Sequence, residues 1–93
     1  DLIFIDAAKA QNIKFFEKFS KNLNPNGTII TDNMNFHGLV DKDPSEIKSR
    51  NLRALVRKVR DYREYLKENS KYTTAFYNIG DGLAVSKRTK ENA

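Results

Sequence analysis

The chain has 93 residues, 39% hydrophobic and 31% charged, a globular composition that fits neither disorder nor a membrane-embedded fold. It has no cysteine and one histidine, which removes disulfide scaffolds, thiolate zinc sites, cysteine nucleophiles and His-rich metal clusters. Seventeen Lys and Arg against twelve Asp and Glu leave +5, an excess that suits an anionic partner such as nucleic acid or simply aids solubility. No apolar run approaches the roughly 20 residues that span a bilayer, so we expect no membrane partner and a cytoplasmic location.

Leu2–Ile5 is a continuous apolar, partly β-branched run ending in Asp6, the pattern of a strand buried on both faces. Asp1 leads straight into it, so a piece of a larger domain is expected. Residues from about 8 to 23 predict a helix. Ile13, Phe16, Phe19 or Ser20, and Leu23 recur at three- and four-residue spacing, and Lys14, Glu17, Lys18 and Lys21 take the outer face. Phe15, Phe16 and Phe19 are all expected in the core. Asn24-Pro25-Asn26-Gly27 ends the helix, and Thr28–Thr31 is a second short strand ending in Asp32-Asn33. Strand, helix and strand with short connections form a βαβ unit, so the two strands should be parallel.

Residues 34–43 show no period and read as a loop of functional length, with His37 a loop residue rather than a ligand, though one placed to line the entrance of a site. Pro44 and Ser45 should open a long helix running to about Glu68, with Leu52, Leu55, Val56, Val59, Tyr62 and Leu66 on one stripe. Tyr72–Ile79 predicts a strand, Gly80-Asp81-Gly82 a tight turn, and Leu83–Ser86 the hairpin partner. From Lys87 onward the chain is polar. The order β-α-β-α-β-β, parallel first and antiparallel last, is that of an α/β fold, the second half of a doubly wound sheet. The domain is taken as residues 1–88, with a polar tail over 89–93.

Asp6, Asp32 and Asn33 carry the chemistry. Each acid sits where a strand runs out, and parallel strands end on the same edge of the sheet, about 4.8 Å apart. Open α/β sheets bind ligands at that edge. Two carboxylates and an amide oxygen are hard donors suited to Mg²⁺, Mn²⁺ or Ca²⁺, and three protein ligands leave positions free for water or substrate. Each acid also has a local explanation: Asp6 as a helix cap, Asp32-Asn33 as the start of a loop. Lys9 should lie in the first turn of the following helix, where the macrodipole disfavours a cation. It is therefore either a general base or anion anchor at the site, or a surface lysine. Gly80 and Gly82 lack the third glycine and flanking elements of a phosphate-cradling loop.

Residues 44–70 hold eight Lys and Arg against four acids, +4 of the +5. Arg50, Arg53, Arg57 and Arg60 follow helical spacing and form a stripe that could track RNA phosphates. The same stripe also reads as a solvated face with Arg57/Asp61 and Arg60/Glu64 pairs.

Phe4-Ile5-Asp6-Ala7-Ala8-Lys9, Thr31-Asp32-Asn33 with Phe36-His37-Gly38, and Ile79-Gly80-Asp81-Gly82-Leu83-Ala84 resemble the metal-dependent class I O-methyltransferases. That family includes catechol and caffeoyl-CoA O-methyltransferases, and the nearest likeness is to bacterial tRNA 5-hydroxyuridine methyltransferases. The likeness spans nearly the whole chain and implies the C-terminal half of a Rossmann-like methyltransferase fold. It implies that Asp6, Asp32 and Asn33 hold the divalent cation, Mg²⁺, Mn²⁺ or Ca²⁺, that Lys9 is the catalytic lysine, and that Asp6 lies beside the S-adenosylmethionine (SAM) pocket. The implied reaction moves the sulfonium methyl to a hydroxyl beside a second oxygen, as in 5-hydroxyuridine of tRNA or a small phenol. It further implies a homodimer for the full-length protein. The family's Pro-Gly-Gly is Pro25-Asn26-Gly27 here, a change expected to be tolerated. The family's upstream half, with its glycine-rich cofactor loop and ribose-binding acid, has no counterpart in these residues, so the chain alone is expected to be inactive. A non-catalytic RNA-binding module is the competing reading. A phosphoacceptor receiver domain would need an acidic pair on an earlier strand.

Overall fold

The computed structural model describes residues 2–9, 11–35 and 38–89. The expectations for Phe36 and His37, and for the end of the polar tail, lie outside them. The elements are β1 (Leu2–Asp6), α1 (Asn12–Ser20), β2 (Thr28–Asp32), α2 (Arg50–Glu68), β3 (Tyr72–Tyr77) and β4 (Leu83–Arg88), with short 3₁₀ turns at Leu39–Asp41 and Pro44–Glu46. The strands form one sheet in the order β1-β2-β4-β3. β1 and β2 are parallel, whereas β4 runs antiparallel to both β2 and β3. The hairpin's return strand thus enters beside β2 and leaves β3 at the edge.

The core lies on one face of the sheet. Ile5, Ile29, Thr31, Ala84, Ser86 and Tyr72 are buried there with Phe16 of α1 and Val56, Val59, Tyr62 and Leu66 of α2. The apolar stripe expected on the long helix is the stripe that packs, Leu52 and Leu55 joining it half-buried. Phe16 sits at the centre, edge-on to Tyr62, Tyr65 and Tyr72 with ring centroids 6.2, 5.6 and 5.2 Å away. Such edge-to-face pairs add to the area they bury.

Four expectations change. β1 buries one face only: Ile5 is buried, while Leu2 and Phe4 are 55% and 70% exposed. Phe4 shares its row of the uncovered face with Ile30, Val85 and Ala75. Phe19 is 40% exposed and Ser20 takes the buried place at that helical spacing, because Phe16 and Leu23 already fill the seam. Phe19 instead stacks on half-buried Phe15, centroids 6.0 Å apart. α1 is also shorter than its period suggests. At both ends three-residue turns replace α geometry, Lys9 N–H to the Asp6 carbonyl and Leu23 N–H to the Ser20 carbonyl among them. Finally, α2 starts at Arg50, not Pro44, because Ile47 is buried in the core and Ser49 supplies the cap, its hydroxyl accepting from Leu52 N–H at 3.2 Å. The Ser45 N–H and hydroxyl both donate to Asp43, which holds that carboxyl below its usual range.

At the turn before β2, a Cβ on Gly27 would stand 2.5 Å from the Leu23 side chain, whereas Asn26 is exposed. The glycine that close packing requires is the one this chain retains.

Candidate active site

Asp6 and Asp32 close β1 and β2 and are register partners, side by side at the end of a parallel pair. Both are exposed and lie on the face opposite the core, since the residues that precede them, Ile5 and Thr31, are buried. The Ala7 N–H donates to the Asp32 carbonyl at 3.0 Å, which extends the pairing one residue past the strand. Each carboxylate also makes its local bond. Asp6 Oδ1 accepts from Ala8 N–H at 2.9 Å, and Asp32 Oδ1 from Asn33 N–H at 2.7 Å. These are turn bonds, not helix caps, because α1 begins only at Asn12. A carboxylate has lone pairs beyond one such bond, so both acids keep capacity for a further partner.

Asn33 differs from its neighbours. Its φ is 67°, the left-handed region that Asn tolerates better than most residues. Its Oδ1 is buried and has no hydrogen-bond partner among the described residues. An amide oxygen left so is uncommon and costly. No three His, Cys, Asp or Glu side chains cluster in a metal-holding group among the described residues, so the third donor here would be this amide. Two carboxylates at one strand edge, followed by a residue whose amide oxygen has no partner among the described residues, are donors of the kind a hard divalent cation takes.

Lys9 lies in the turn between β1 and α1, three residues before the helix, and its N–H donates to the Asp6 carbonyl at 3.1 Å. Its Nζ stands 5.6 Å from the centroid of the Phe15 ring, a cation–π contact. The same turn is fastened from below by Asn12, which sequence reasoning missed. Its buried Nδ2 donates to the Ala7 carbonyl at 2.8 Å and the Lys58 carbonyl at 3.3 Å, joining the turn to α2. A polar residue beginning a helix after a turn carries no sign that it reaches a second helix.

The loop after Asn33 is fixed to the β3–β4 turn. Met34 and Asn35 N–H donate to the Gly82 and Asp81 carbonyls at 3.0 and 2.7 Å, and Asn35 Nδ2 donates to Asn78 Oδ1 at 2.9 Å. Farther on, arginines of α2 hold the loop. Arg53 Nη1 donates to the Ile47 carbonyl at 2.7 Å, Arg60 Nε to the Val40 carbonyl at 2.6 Å, and Arg60 Nη2 to the Lys42 carbonyl. Arg63 pairs with Asp41 at 3.2 Å. The arginine stripe is thus divided: Arg53 and Arg60 are half-buried and bind backbone, while Arg50 and Arg57 are exposed. A hollow of about 1020 Å³ lies at the opposite end of the sheet among residues such as Glu17, Lys21, Glu68, Lys71 and Arg88. It is a surface groove remote from the paired acids.

The O-methyltransferase family profile matches residues 1–89. The chain belongs to the O-methyltransferase family. A Staphylococcus aureus protein, provisionally assigned as a caffeoyl-CoA O-methyltransferase, superposes with a TM-score of 0.90 at 52% identity, over 96% of this chain and 42% of that one. A Podospora anserina methyltransferase, solved with SAH bound, shares the fold at 23% identity, with a TM-score of 0.73 over 97% of this chain and 42% of its own. TomG, an O-methyltransferase of tomaymycin synthesis from Streptomyces achromogenes, solved with SAM, does so at 24% identity and a TM-score of 0.71, over 97% and 40%. The chain spans less than half the length of these relatives. The α/β fold expected for the C-terminal half of such a methyltransferase is the fold observed.

Proposed function

We propose that this chain carries the cation-binding edge of a SAM- and divalent-cation-dependent O-methyltransferase, cytoplasmic and homodimeric at full length. Its substrate hydroxyl lies beside a second oxygen, as in 5-hydroxyuridine of tRNA. The observation that carries the reading is the register pairing of Asp6 with Asp32, followed directly by Asn33, whose amide oxygen has no partner among the described residues. Asp6, Asp32 and Asn33 would hold Mg²⁺, Mn²⁺ or Ca²⁺, which supplies Lewis acidity to lower the pKa of the hydroxyl. SAM supplies the electrophilic methyl. The chain's own residues would supply the rest: β1 and β2 bring the two acids to one edge, and Lys9, in the turn that leaves β1, would act as proton acceptor or anchor for an anionic oxygen. Asp6 would also line the SAM pocket.

A small phenol is the second reading of the substrate. It is favoured by the use of Arg53 and Arg60 within the fold, which leaves Arg50 and Arg57 as the exposed members of the stripe. The test is a Mn²⁺ titration of the full-length protein with and without Asp32→Ala, followed by methyl transfer from SAM to tRNA and to catechol. We expect at least tenfold weaker Mn²⁺ binding in the variant and methylation of tRNA. Equal Mn²⁺ affinity would remove Asp32 as a ligand. Transfer to catechol alone would select the phenol, and RNA binding without any response to Mn²⁺ would select a non-catalytic module.

A further inference from the structure

We propose that Asn78, in the turn that follows β3, is a positioning residue for this cation site, acting through Asn35 to hold Asn33 in its left-handed conformation. The inference rests on the cation reading given above. Asn tolerates φ 67° better than most residues do, but the conformation still costs energy that a well-fastened loop offsets. A buried amide oxygen without a partner would likewise turn toward water if its loop were loose.

The restraint is visible two residues farther on. Asn35 is tied through its own N–H to the Asp81 carbonyl at 2.7 Å, and its carbonyl accepts from Val40 N–H at 3.3 Å. Its side chain is tied to Asn78 Oδ1 at 2.9 Å. Gly82 closes the other side. A Cβ there would stand 2.6 Å from both the backbone N and Cγ of Asn35, and Gly82 itself has φ +93°. Met34, between Asn33 and Asn35, donates to the Gly82 carbonyl at 3.0 Å. The backbone bonds to Asp81 and Gly82 do not use the side chain at position 78, but the Asn35–Asn78 bond braces the residue that makes one of them. Asn78 directly follows the strand at the far edge of the sheet, so the hairpin acts as a template for the donor loop after β2.

The test uses the full-length protein, with Mn²⁺ as the probe and backbone amide exchange measured without metal. Asn78→Leu keeps the size but removes the acceptor, whereas Asn78→Asp keeps an acceptor oxygen. In Asn78→Leu, exchange at Met34 and Asn35 should quicken and Mn²⁺ should bind about tenfold more weakly, the scale usual for residues that orient metal ligands. Asn78→Asp should restore slow exchange. An Asn35→Leu, Asn78→Leu double variant should bind Mn²⁺ no more weakly than either single one, because one bond serves both residues. Unchanged Mn²⁺ affinity in Asn78→Leu, or additive losses in the double variant, would overturn the positioning role while the cation reading stands. A wild-type protein that does not bind Mn²⁺ would remove the cation reading and this inference with it.

Discussion

The Tyr62 hydroxyl lies 2.8 Å from Thr31 Oγ1, with both side chains wholly enclosed, so α2 is hydrogen-bonded to β2 one residue before Asp32. Such a pair stabilises only while both members are present, because a lone buried hydroxyl keeps its desolvation cost. Tyr62→Phe should therefore lower stability by about 1–3 kcal/mol. Adding Thr31→Val should recover part of the loss, and a double-mutant cycle on urea midpoints checks this. Strictly additive losses would show that the two hydroxyls do not act as a pair.

The same tyrosine makes the fold sensitive to alkali. Burial pushes its hydroxyl well above the ordinary tyrosine value, and the bond to Thr31 opposes the shift only in part. The folded state therefore keeps a proton that the unfolded chain gives up at pH of about 10. This contribution is fully present below that pH and is lost as pH rises beyond it. Tyr65 is shifted the same way by burial. Denaturation midpoints from pH 8 to 11 should fall less steeply in Tyr62→Phe than in the wild type, and parallel profiles would contradict the assignment.

Arg60 holds the loop between β2 and α2 through the Val40 and Lys42 carbonyls. Charge-assisted bonds of this kind contribute about 1.5–3 kcal/mol each where buried and less where partly exposed, as here. Arg60→Met should cost roughly 1–2 kcal/mol and speed amide exchange over residues 39–42. Arg60→Lys should not restore it, because an ammonium cannot reproduce the forked geometry. Full rescue by lysine would reduce the contact to simple charge.

Arg57 offers the cleaner test of RNA contact, since it is exposed and Arg53 and Arg60 are not free of structural duty. Arg57→Glu should change stability by less than about 0.5 kcal/mol, as surface substitutions usually do. In the full-length protein it should weaken tRNA binding and reduce the log–log salt slope by about 1. Unchanged tRNA affinity across the salt series would discard the RNA reading in favour of a small phenol.

Much of the candidate site was legible because it follows from local pattern. An apolar run that ends in Asp, twice, with a helix between, puts two acids at one sheet edge wherever the chain makes a βαβ unit. The register pairing of Asp6 with Asp32 is that expectation realised. Lys9 was expected in the first turn of α1 and lies in the turn before it, because helix ends are decided by turn bonds that periodicity does not report. Phe19 was misread because Ser20 satisfies the same spacing and only packing chooses between them.

What the sequence determined by itself is what neighbouring residues encode: the element types and their order, the buried stripe of α2, and the acids at the strand ends. Contacts between distant segments are written in no local pattern, and the tertiary structure alone decided them. It inserted β4 between β2 and β3, left one face of β1 uncovered, and turned Arg53 and Arg60 inward onto the loop. It also brought Asn78 and Gly82 against Asn35, 43 and 47 positions earlier in the chain. The physical reason is that an arginine, an asparagine or a glycine can satisfy its chemistry with many partners, and only closure of the sheet chooses which.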